Sequence, residues 1–470
     1  MDSGNTLFLN PLGVFCKDSI LAQNLHDLYA LPPEFKRMSK VTLRPSKESG
    51  QPPQPLDSQT RGSLRPPSAG KPRVLCVFGT RPEVIKLAPV LQALRSRADL
   101  DTFVVSSGQH TTLLYPFLDF FGIQLNEDLQ VMQPDQTPNE VCARVMSALE
   151  PIVRREKPSL ILVQGDTTTA LAGAMTGFHH RIPVGHVEAG LRSGNPLSPF
   201  PEEMNRRLVS QVATYHFAAT AGNRAALLAE GVPEAGIFVT GNPVVDSLQF
   251  ILKNAQPSLR AAELLQLAAG KKLIVLTTHR RESFGRVMRQ HLRTLRDFVH
   301  QHSDLALVFA VHPNPSVRAA AEAELGGGSA ANDRIHLVEP LNYPDFVHLL
   351  QRAWLLVSDS GGIQEEAPTL HKPLLVLRSN TERPEAVESG VAILVGDETN
   401  SQPDRLRQLL HAALTDETWA ERVRTAVNPF GNGDSGEIIA SILHRELVGS
   451  MPRPAAAGHP VSSARAKGAL

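Results

Sequence analysis

The feature that most constrains the fold of this chain is a repeated alternation of short apolar segments with longer amphipathic ones. From residue 73 onward, segments such as RVLCVF, SLILVQG, KLIVLTTH and WLLVSDS are each followed by a polar turn and a helix-like stretch. Continuous apolar strands that alternate with helices indicate parallel sheets covered by helices on both faces. About six such strands precede residue 241 and about six follow it, which predicts an α/β protein with two doubly wound domains.

Segments outside this alternation set the expected domain boundaries. Residues 1–72 end in a stretch rich in Pro, Ser, Gly and Gln that has too little apolar surface to order itself, so this extension is predicted to be largely disordered. At 470 residues the chain is too long for one ordinary core. The predicted divisions are therefore 73–240 for the first domain, 241–435 for the second, 436–449 for a final helix and 450–470 for a disordered tail.

Composition argues against several classes of partner. Basic and acidic side chains number 47 each and the pI is near 7.3, so nothing in the charge predicts binding to nucleic acid or to an anionic membrane. Three cysteines without a C-x-x-C motif argue against a disulfide framework or a structural zinc site and fit a reducing cytosol. No apolar run approaches the roughly 18 residues of a membrane span, and the amino terminus lacks the basic flank of a signal peptide. A cytoplasmic protein is expected.

Polar residues gather where the predicted strands end, which is the edge at which such sheets bind ligands. In FGTRPEVIK, Gly79 permits a close approach of the backbone, and Arg81 and Lys86 bring positive charge beside a helix start. This is an anion site in outline, although a Gly-Thr turn alone is as often structural. Neither G-x-G-x-x-G nor G-x-x-x-x-G-K-[ST] follows any strand, which argues against nicotinamide and P-loop enzymes.

The segment VSDSGGIQEEA is a more specific signal. Ser360, Gly361 and Gly362 open a helix, and free amides without obstructing side chains can hold a phosphate there. Glu365 and Glu366 follow within the next turn, where a carboxylate would repel phosphate but can accept hydrogen bonds from ribose hydroxyls. An ordinary helix cap with solvated acids is the alternative. Arg378 and Arg383 follow the next predicted strand and add positive charge beside this helix start.

Two histidines and three carboxylates also lie at or beyond strand ends. His279 and His312 close neighbouring strands, where a single histidine is more often structural. Asp166, Glu188 and Glu202 lie on three turns or loops without the spacing of metal ligands. A substrate or neighbouring arginines are therefore their expected counter-ions, and no metal site is predicted.

Taken together, these motifs resemble one family. VFGTRPEVIKLAPV, GDTTTALAG, IPVGHVEAGLRSGN, SPFPEEMNRR, THRRESFG, SDSGGIQEEAPTLHKPLLVLR and TERPEAV stand in the same order as in the non-hydrolysing UDP-N-acetylglucosamine 2-epimerases. The resemblance covers about residues 73–446. It implies the glycosyltransferase-B architecture: two Rossmann-like domains, the nucleotide in the cleft between them, and a last helix that crosses back to the first domain.

The resemblance also assigns roles to individual residues. It implies acid/base roles for Asp166, Glu188 and Glu202 and a catalytic role for His279. The implied substrate contacts are Arg81, Lys86, Phe346, Ser360, Gly361, Gly362, Glu366 and Arg383. A second UDP-N-acetylglucosamine, bound as activator, would contact Gln109, His110, Gln136, Arg280 and His312 and share Glu202. Thr112 and Asp135 depart from the family's pattern, so this activator site is expected to be weaker; no cofactor and a homodimer are expected.

Inverting carbon 2 of an N-acetyl sugar is difficult because no carbonyl adjoins that carbon. Departure of UDP from the anomeric carbon would acidify the neighbouring hydrogen, and a carboxylate could then remove it to give a 2-acetamidoglucal. Returning the proton to the opposite face requires a second group, which Asp166, Glu188 and Glu202 could supply, and crowding should push their pKa values apart. Amides of Gly361 and Gly362 would stabilise the departing diphosphate.

Three other functions remain open at this point. A hydrolysing epimerase would let water capture the intermediate, but its members depart from the F-G-T-R-P-E pattern present at residues 78–83. A sugar-nucleotide glycosyltransferase shares the fold but needs an acceptor and has no need of carboxylates on both sugar faces. A non-enzymatic nucleotide-sugar sensor would need the glycine turn and not the acids.

Overall fold

The structure is a computed structural model that describes residues 70–108, 111–133, 135–280, 284–326, 334–396 and 404–449. The predicted tail and all but the last three residues of the predicted extension lie outside the described residues.

Seven strands of the described chain form a first sheet. They are β1 (Arg73–Phe78), β2 (Asp101–Ser106), β3 (Glu127–Asp128), β4 (Leu160–Gln164), β5 (Val184–Ala189), β6 (Tyr215–Ala218) and β7 (Ile237–Val239). Their order is β3-β2-β1-β4-β5-β6-β7, and every adjacent pair is parallel. The sequence predicts six of them and misses β3, because its two charged residues carry no apolar pattern.

Six further strands form a second parallel sheet. They are β8 (Lys272–Thr277), β9 (Leu305–Ala310), β10 (Ile335–Val338), β11 (Leu355–Ser358), β12 (Leu374–Val376) and β13 (Ala392–Leu394). Their order is β10-β9-β8-β11-β12-β13. Each corresponds to an apolar segment of the sequence, so the α/β architecture of two parallel sheets is confirmed.

Burial on both faces explains the uninterrupted apolar strands. Along β1, Val74, Cys76 and Phe78 belong to one buried cluster, and the alternate residues Leu75 and Val77 belong to another. All five side chains are fully buried. A strand covered by helices on both faces has no solvent side on which polar residues would alternate.

Helices connect the strands and cover both sheets. In chain order they are α1 (Arg81–Arg95), α2 (Thr111–Phe120), α3 (Pro138–Glu156), α4 (Thr168–His179), α5 (Glu202–Val212), α6 (Ala221–Ala229), α7 (Pro243–Asn254), α8 (Leu259–Leu267), α9 (Arg286–Gln301), α10 (Pro315–Leu325), α11 (Tyr343–Arg352), α12 (Gly361–Leu370), α13 (Pro384–Glu388), α14 (Arg405–Thr415), α15 (Glu417–Thr425) and α16 (Ser435–Val448). No helix among the described residues is long and apolar enough to cross a bilayer.

The chain leaves the first sheet and later returns beside the same point. Asn242, just after β7, donates its backbone N–H to the carbonyl of Phe430 at 2.8 Å. Gly241 has a φ of +78°, and a Cβ there would lie 2.6 Å from Ser435 Oγ, so this crossing requires glycine. The outgoing and returning segments are therefore packed together.

The final helix α16 packs against α1, which follows the first strand. A Cβ on Gly436 would lie 2.7 Å from the backbone carbon of Pro89, so only glycine permits this approach of the two helices. Arg97 pairs with Glu437 at 2.6 Å beside the contact. The chain segments that precede and follow the second sheet are therefore both attached to the first sheet or to the helices that cover it.

Candidate active site

Glu188 lies at the carboxyl end of β5, where the register with β6 shifts before Ala189. Its φ of +65° is uncommon for a residue with a side chain, so the surrounding contacts must hold this conformation. Gln164 donates a short hydrogen bond from Nε2 to Glu188 Oε2, and Asn242 Nδ2 donates to Oε1 at 3.1 Å. The carboxylate is thus fixed by amides from two other elements.

Lys86 joins the edges of the two sheets. Its ammonium forms a short ion pair with Glu188 Oε1 and a second pair with Glu365 Oε2 at 2.9 Å. Glu188 belongs to the first sheet, whereas Glu365 lies in α12 beside the second. Burial alone would raise the pKa of Glu188, but the charges of Lys86 and Arg383 outweigh burial and hold this pKa below its usual range.

Asp166 lies two residues beyond β4 and is held by two residues of α5. Arg206 Nη2 pairs with Asp166 Oδ2 at 2.9 Å, and Asn205 Nδ2 donates to the Asp166 carbonyl at 2.9 Å. The side chain of Asp166 is 28 % exposed, so it remains accessible to solvent. Burial raises the pKa of Asp166, Arg206 opposes this rise, and the negative charge of Glu202 adds to it.

Adjacent acids at the start of α5 have different surroundings. Glu203 is fully buried, and it accepts hydrogen bonds from the backbone of Ser193 at 2.9 Å and from Arg207 Nε at 3.0 Å. Glu202 is half-buried, and its charge lies close enough to Asp166 to influence that carboxyl. Glu203 therefore stabilises the loop, while Glu202 is available to a ligand.

The turn after β1 is tied to the turn that carries Asp166. Glu83 Oε2 accepts hydrogen bonds from the backbone N–H groups of Gly79 at 3.0 Å and Thr80 at 2.8 Å. Its other oxygen accepts from Thr167 Oγ1 at 2.8 Å, directly beside Asp166 in sequence. Burial raises the pKa of Glu83 to about 7. These contacts fix the distance between two turns that hold candidate site residues.

Asp359, after β11, anchors the segment after β8. It is fully buried and accepts from the backbone N–H of His279 at 2.9 Å and of Arg280 at 2.9 Å, and from Thr278 Oγ1 at 2.7 Å. The His279 ring lies against His312, with centroids 5.5 Å apart and planes 21° apart. The structure therefore brings the two predicted strand-end histidines together.

The helix start predicted to hold phosphate is present. Ser360 precedes α12, and Gly361 and Gly362 are its first two residues, both partly exposed. A Cβ on Gly361 would lie 2.5 Å from Nη1 of Arg383, so glycine is needed to admit the guanidinium. A Cβ on Gly362 would meet nothing nearer than Ser360 Oγ at 3.8 Å. Free amides and a fixed cation thus lie side by side.

Glu366 carries a carboxylate oxygen in need of a donor. Its Oε1 accepts from the hydroxyl of Tyr343 at 2.7 Å, whereas Oε2 is buried without a hydrogen bond. Burial raises the pKa of Glu366 to about 7.

Aromatic residues surround the predicted contact Arg81. Phe117 packs 5.9 Å from the Tyr343 ring and lies under the Arg81 guanidinium at 5.6 Å. Phe346 is half-buried near the start of α11 and packs against the core.

The predicted activator contacts are only partly described. Gln109 and His110 lie outside the described residues. The Gln136 side chain accepts from the backbone of Gln133 at 2.7 Å and donates to the carbonyl of Val131 at 3.0 Å, within its own loop. A shared activator site made by these three glutamine and histidine residues together with Arg280 and His312 stays a prediction.

Comparisons with known proteins identify the family. The sequence profile described as UDP-N-acetylglucosamine 2-epimerase matches residues 92–444. The UDP-N-acetylglucosamine 2-epimerase of Yersinia pestis is 45 % identical over 382 residues, covering 80 % of this chain and 99 % of that protein. The chain belongs to the UDP-N-acetylglucosamine 2-epimerase family.

Solved structures of other members of this 2-epimerase family have the same fold. The enzyme from Neisseria meningitidis, bound to UDP-GlcNAc, superimposes with a TM-score of 0.73 at 37 % identity, covering 79 % of this chain and all of that one. An S. aureus MnaA–UDP co-structure gives 0.73 at 38 % identity, covering 80 % and 97 %. The family resemblance read from the motifs is confirmed, and so is the expectation of an isomerase.

Sequence reasoning missed the residues that hold the candidate acids in place. Gln164 and Asn242 fix Glu188, and Asn205 and Arg206 fix Asp166. Arg206 lies in the PEEMNRR motif, so its charge offered a signal. The three amides offered none, because amide side chains are as common in solvated turns as in buried hydrogen bonds.

Proposed function

We propose that this chain reversibly interconverts UDP-N-acetylglucosamine and UDP-N-acetylmannosamine by eliminating UDP and adding it back. The observation that carries this proposal is the placement of three acids: Asp166 follows β4, Glu188 ends the neighbouring strand β5 and pairs with Lys86, and the charge of Glu202 at the start of α5 acts on Asp166. Family membership supports the same reaction, since the names of the related proteins state this epimerisation.

Proton transfer on both faces of the sugar is the task proposed for the acids. Burial raises the pKa of Asp166, whereas the cations beside Glu188 lower the pKa of Glu188. Carboxyl groups whose pKa values move apart are suited to donating a proton in one case and accepting it in the other. Breaking the bond between the anomeric carbon and the diphosphate acidifies the hydrogen at carbon 2, which one carboxylate removes; a second group returns a proton to the other face.

The second sheet is proposed to bind UDP. The amides at Gly361 and Gly362 and the guanidinium of Arg383 would hold the diphosphate and stabilise its departure, with His279 beside them. The unbonded Glu366 Oε2 fits a donor such as a ribose hydroxyl. Ser360, Arg81 and Phe346 complete the proposed substrate contacts.

The domain assignment follows from these roles. Residues 73–240 would supply the acid/base groups, and 241–435 would bind UDP, with 436–449 returning to the first domain. A cytoplasmic location is proposed because the two described cysteines, Cys76 and Cys142, are both free thiols.

A homodimer is also part of the proposal. Exposed large apolar side chains on or beside α4 and α5 support it, among them Phe178 at 57 % and Leu208 at 45 % exposure. A second UDP-N-acetylglucosamine is proposed to activate the enzyme through the contacts named above.

Conversion of pure UDP-N-acetylglucosamine in deuterated water, without added cofactor or acceptor, tests the reaction. We expect UDP-N-acetylmannosamine that carries solvent deuterium at carbon 2. Product without deuterium would contradict the elimination route. Free N-acetylmannosamine as the first product would favour the hydrolysing epimerase, and no reaction without an acceptor would favour the glycosyltransferase.

A further inference from the structure

A row of alternating positive and negative side chains runs through the site. It includes two acids, Glu365 and Glu382, to which the proposed function assigns no role. Lys86 is shared between Glu188 and Glu365, as described above. On the other side of Glu365, Arg383 Nε pairs with Glu365 Oε1 at 2.6 Å. Arg383 Nη1 then pairs with Glu382 Oε1 at 2.8 Å. Each cation in this row is therefore shared by two carboxylates.

Glu382 extends the row to the segment after β8. The same Oε1 accepts from Arg280 Nη2 at 3.2 Å, and Oε2 accepts from Arg378 Nη1 at 2.8 Å. Glu382 is 4 % exposed, so three guanidinium groups compete for one buried carboxylate. Arg280 is in turn attached to Asp359, through its backbone N–H at 2.9 Å and its Nε to the Asp359 carbonyl at 3.2 Å. Glu382 thus fixes Arg280 and Arg383 relative to each other.

Burial makes the pairing along this row interdependent. Water screens charges poorly in such an interior, so a cation that loses one carboxylate pairs more closely with the other. Loss of negative charge at Glu382 would draw Arg383 toward Glu365. Glu365 would then share Lys86 less, and Lys86 would move toward Glu188. A change at one end is expected to alter the position of groups at the other.

We propose that Glu382 and Glu365 are positioning residues, which set the placement of Arg383 and Lys86 and couple Arg280 to the candidate base Glu188. This inference rests on the proposed function, because the groups being positioned are its diphosphate contact and its acid/base residue. Neither acid needs to touch the substrate.

Glu382→Gln tests the proposal through a divergence of kcat and UDP affinity. The amide keeps the shape and one acceptor oxygen but removes the charge. We expect kcat for epimerisation to fall at least about tenfold, since small misplacements of reacting groups cost up to about 100-fold. The Kd for UDP, measured by calorimetry, should stay unchanged or fall, because the variant removes a negative charge beside the proposed diphosphate contact Arg383. A merely structural role would weaken both together.

Two control variants separate positioning from loss of charge or folding. Glu385→Gln removes a carboxylate three residues away, whose Oε1 accepts from Thr220 Oγ1, and should leave kcat unchanged. The pair Glu382→Gln with Arg378→Gln removes an anion and a cation together, which restores the charge balance. The double variant should unfold at nearly the wild-type temperature and still have the low kcat. Recovery of kcat in this pair would overturn the proposal.

A double-mutant cycle with Glu365→Gln tests the coupling directly. Both acids share Arg383, so the loss of kcat in the double variant should be smaller than the product of the two single losses. A product of independent effects, a kcat for Glu382→Gln near wild type, or equal losses in kcat and UDP affinity would each overturn the proposal. If the wild-type chain does not epimerise its substrate, the proposed function fails instead, and UDP binding weakened about tenfold or more by Glu382→Gln would then overturn the positioning role.

Discussion

Asp166 and Glu188, two carboxylates at the edge of the first sheet, have opposite electrostatic surroundings. Glu188 is paired with an ammonium and accepts from two amides, which stabilise its ionised form. Asp166 has one guanidinium partner and a second acid nearby, and burial raises its pKa. The same functional group, a carboxyl, can therefore serve as acid at one position and base at another.

Removing proton transfer from any of these acids should stop most of the turnover. Asp166→Asn, Glu188→Gln and Glu202→Gln keep the side-chain shape, so each should lower kcat at least about 100-fold, as expected for general acid–base groups. Steady-state assays with UDP-N-acetylglucosamine measure this loss. Near-normal turnover in Asp166→Asn or Glu188→Gln would contradict the assigned roles.

Glu203 offers a matched control for Glu202. Glu203→Gln removes the buried negative charge that pairs with Arg206 and Arg207, and it should therefore lower the free energy of unfolding by a few kcal/mol. Glu202→Gln should leave the unfolding temperature nearly unchanged while removing activity. The reverse pattern would show that the two acids exchange roles.

Glu366 should make stability depend on pH in a defined direction. Its pKa is about 7 in the folded protein against an ordinary 4.5, so the folded state holds this proton more tightly than the unfolded chain. Its contribution to stability is present below about pH 4.5 and is lost as the pH rises to about 7. Glu366→Gln mimics the protonated form at every pH.

Chemical denaturation of both proteins at pH 5 and pH 8 checks this sign. We expect the variant to gain stability relative to wild type as the pH rises, by a few kcal/mol. A constant difference between the two proteins would show that Glu366 has an ordinary pKa.

At the scale of elements, the start of α12 combines a helix end with a fixed cation. Gly361→Ala would place a Cβ 2.5 Å from Arg383 Nη1 and force the guanidinium to move. We expect the Kd for UDP to rise about tenfold or more, which corresponds to about 1.4 kcal/mol. Unfolding should also become easier, because Arg383 is held by buried acids on both sides.

Gly362→Ala is the corresponding control for ligand contact. A Cβ there meets only Ser360 Oγ at 3.8 Å, so folding should be unaffected. A loss of UDP affinity without a loss of stability would show that the diphosphate occupies this space. Wild-type affinity in Gly361→Ala would contradict the proposed contact of Arg383.

Elements could be predicted from the sequence wherever burial on two faces imposes a continuous apolar run, as in β1 and β8. The short strand β3 could not, because pairing of two charged residues at a sheet edge needs no apolar pattern. Motif residues such as Gly361 were found because helix starts and glycines have a local meaning. The contact of Glu382 with Arg280 was not, since Arg280 follows β8 and is separated from Glu382 by 102 positions in the sequence.

The chain is longer than the relatives that it matches. The Yersinia pestis protein is matched over 99 % of its length by 80 % of this chain, and the described fold begins at residue 70. Removal of residues 1–70 should therefore leave kcat and the unfolding temperature unchanged, as measured against the full chain. Loss of folding or activity would show that the extension contributes to the enzyme.

Kinetics of the whole molecule should show a weak activator site. In the proposed activator site, Asp135 would add an acid near the second diphosphate, and like charges weaken such binding. The rate should be sigmoidal in UDP-N-acetylglucosamine, and conversion of pure UDP-N-acetylmannosamine should stay slow until a trace of UDP-N-acetylglucosamine is added. Asp135→Asn removes the repulsion and keeps a residue that tolerates the observed φ of +54°, so it should lower the activating concentration several-fold. Hyperbolic kinetics with full reverse activity in both proteins would show that the chain has no functional activator site.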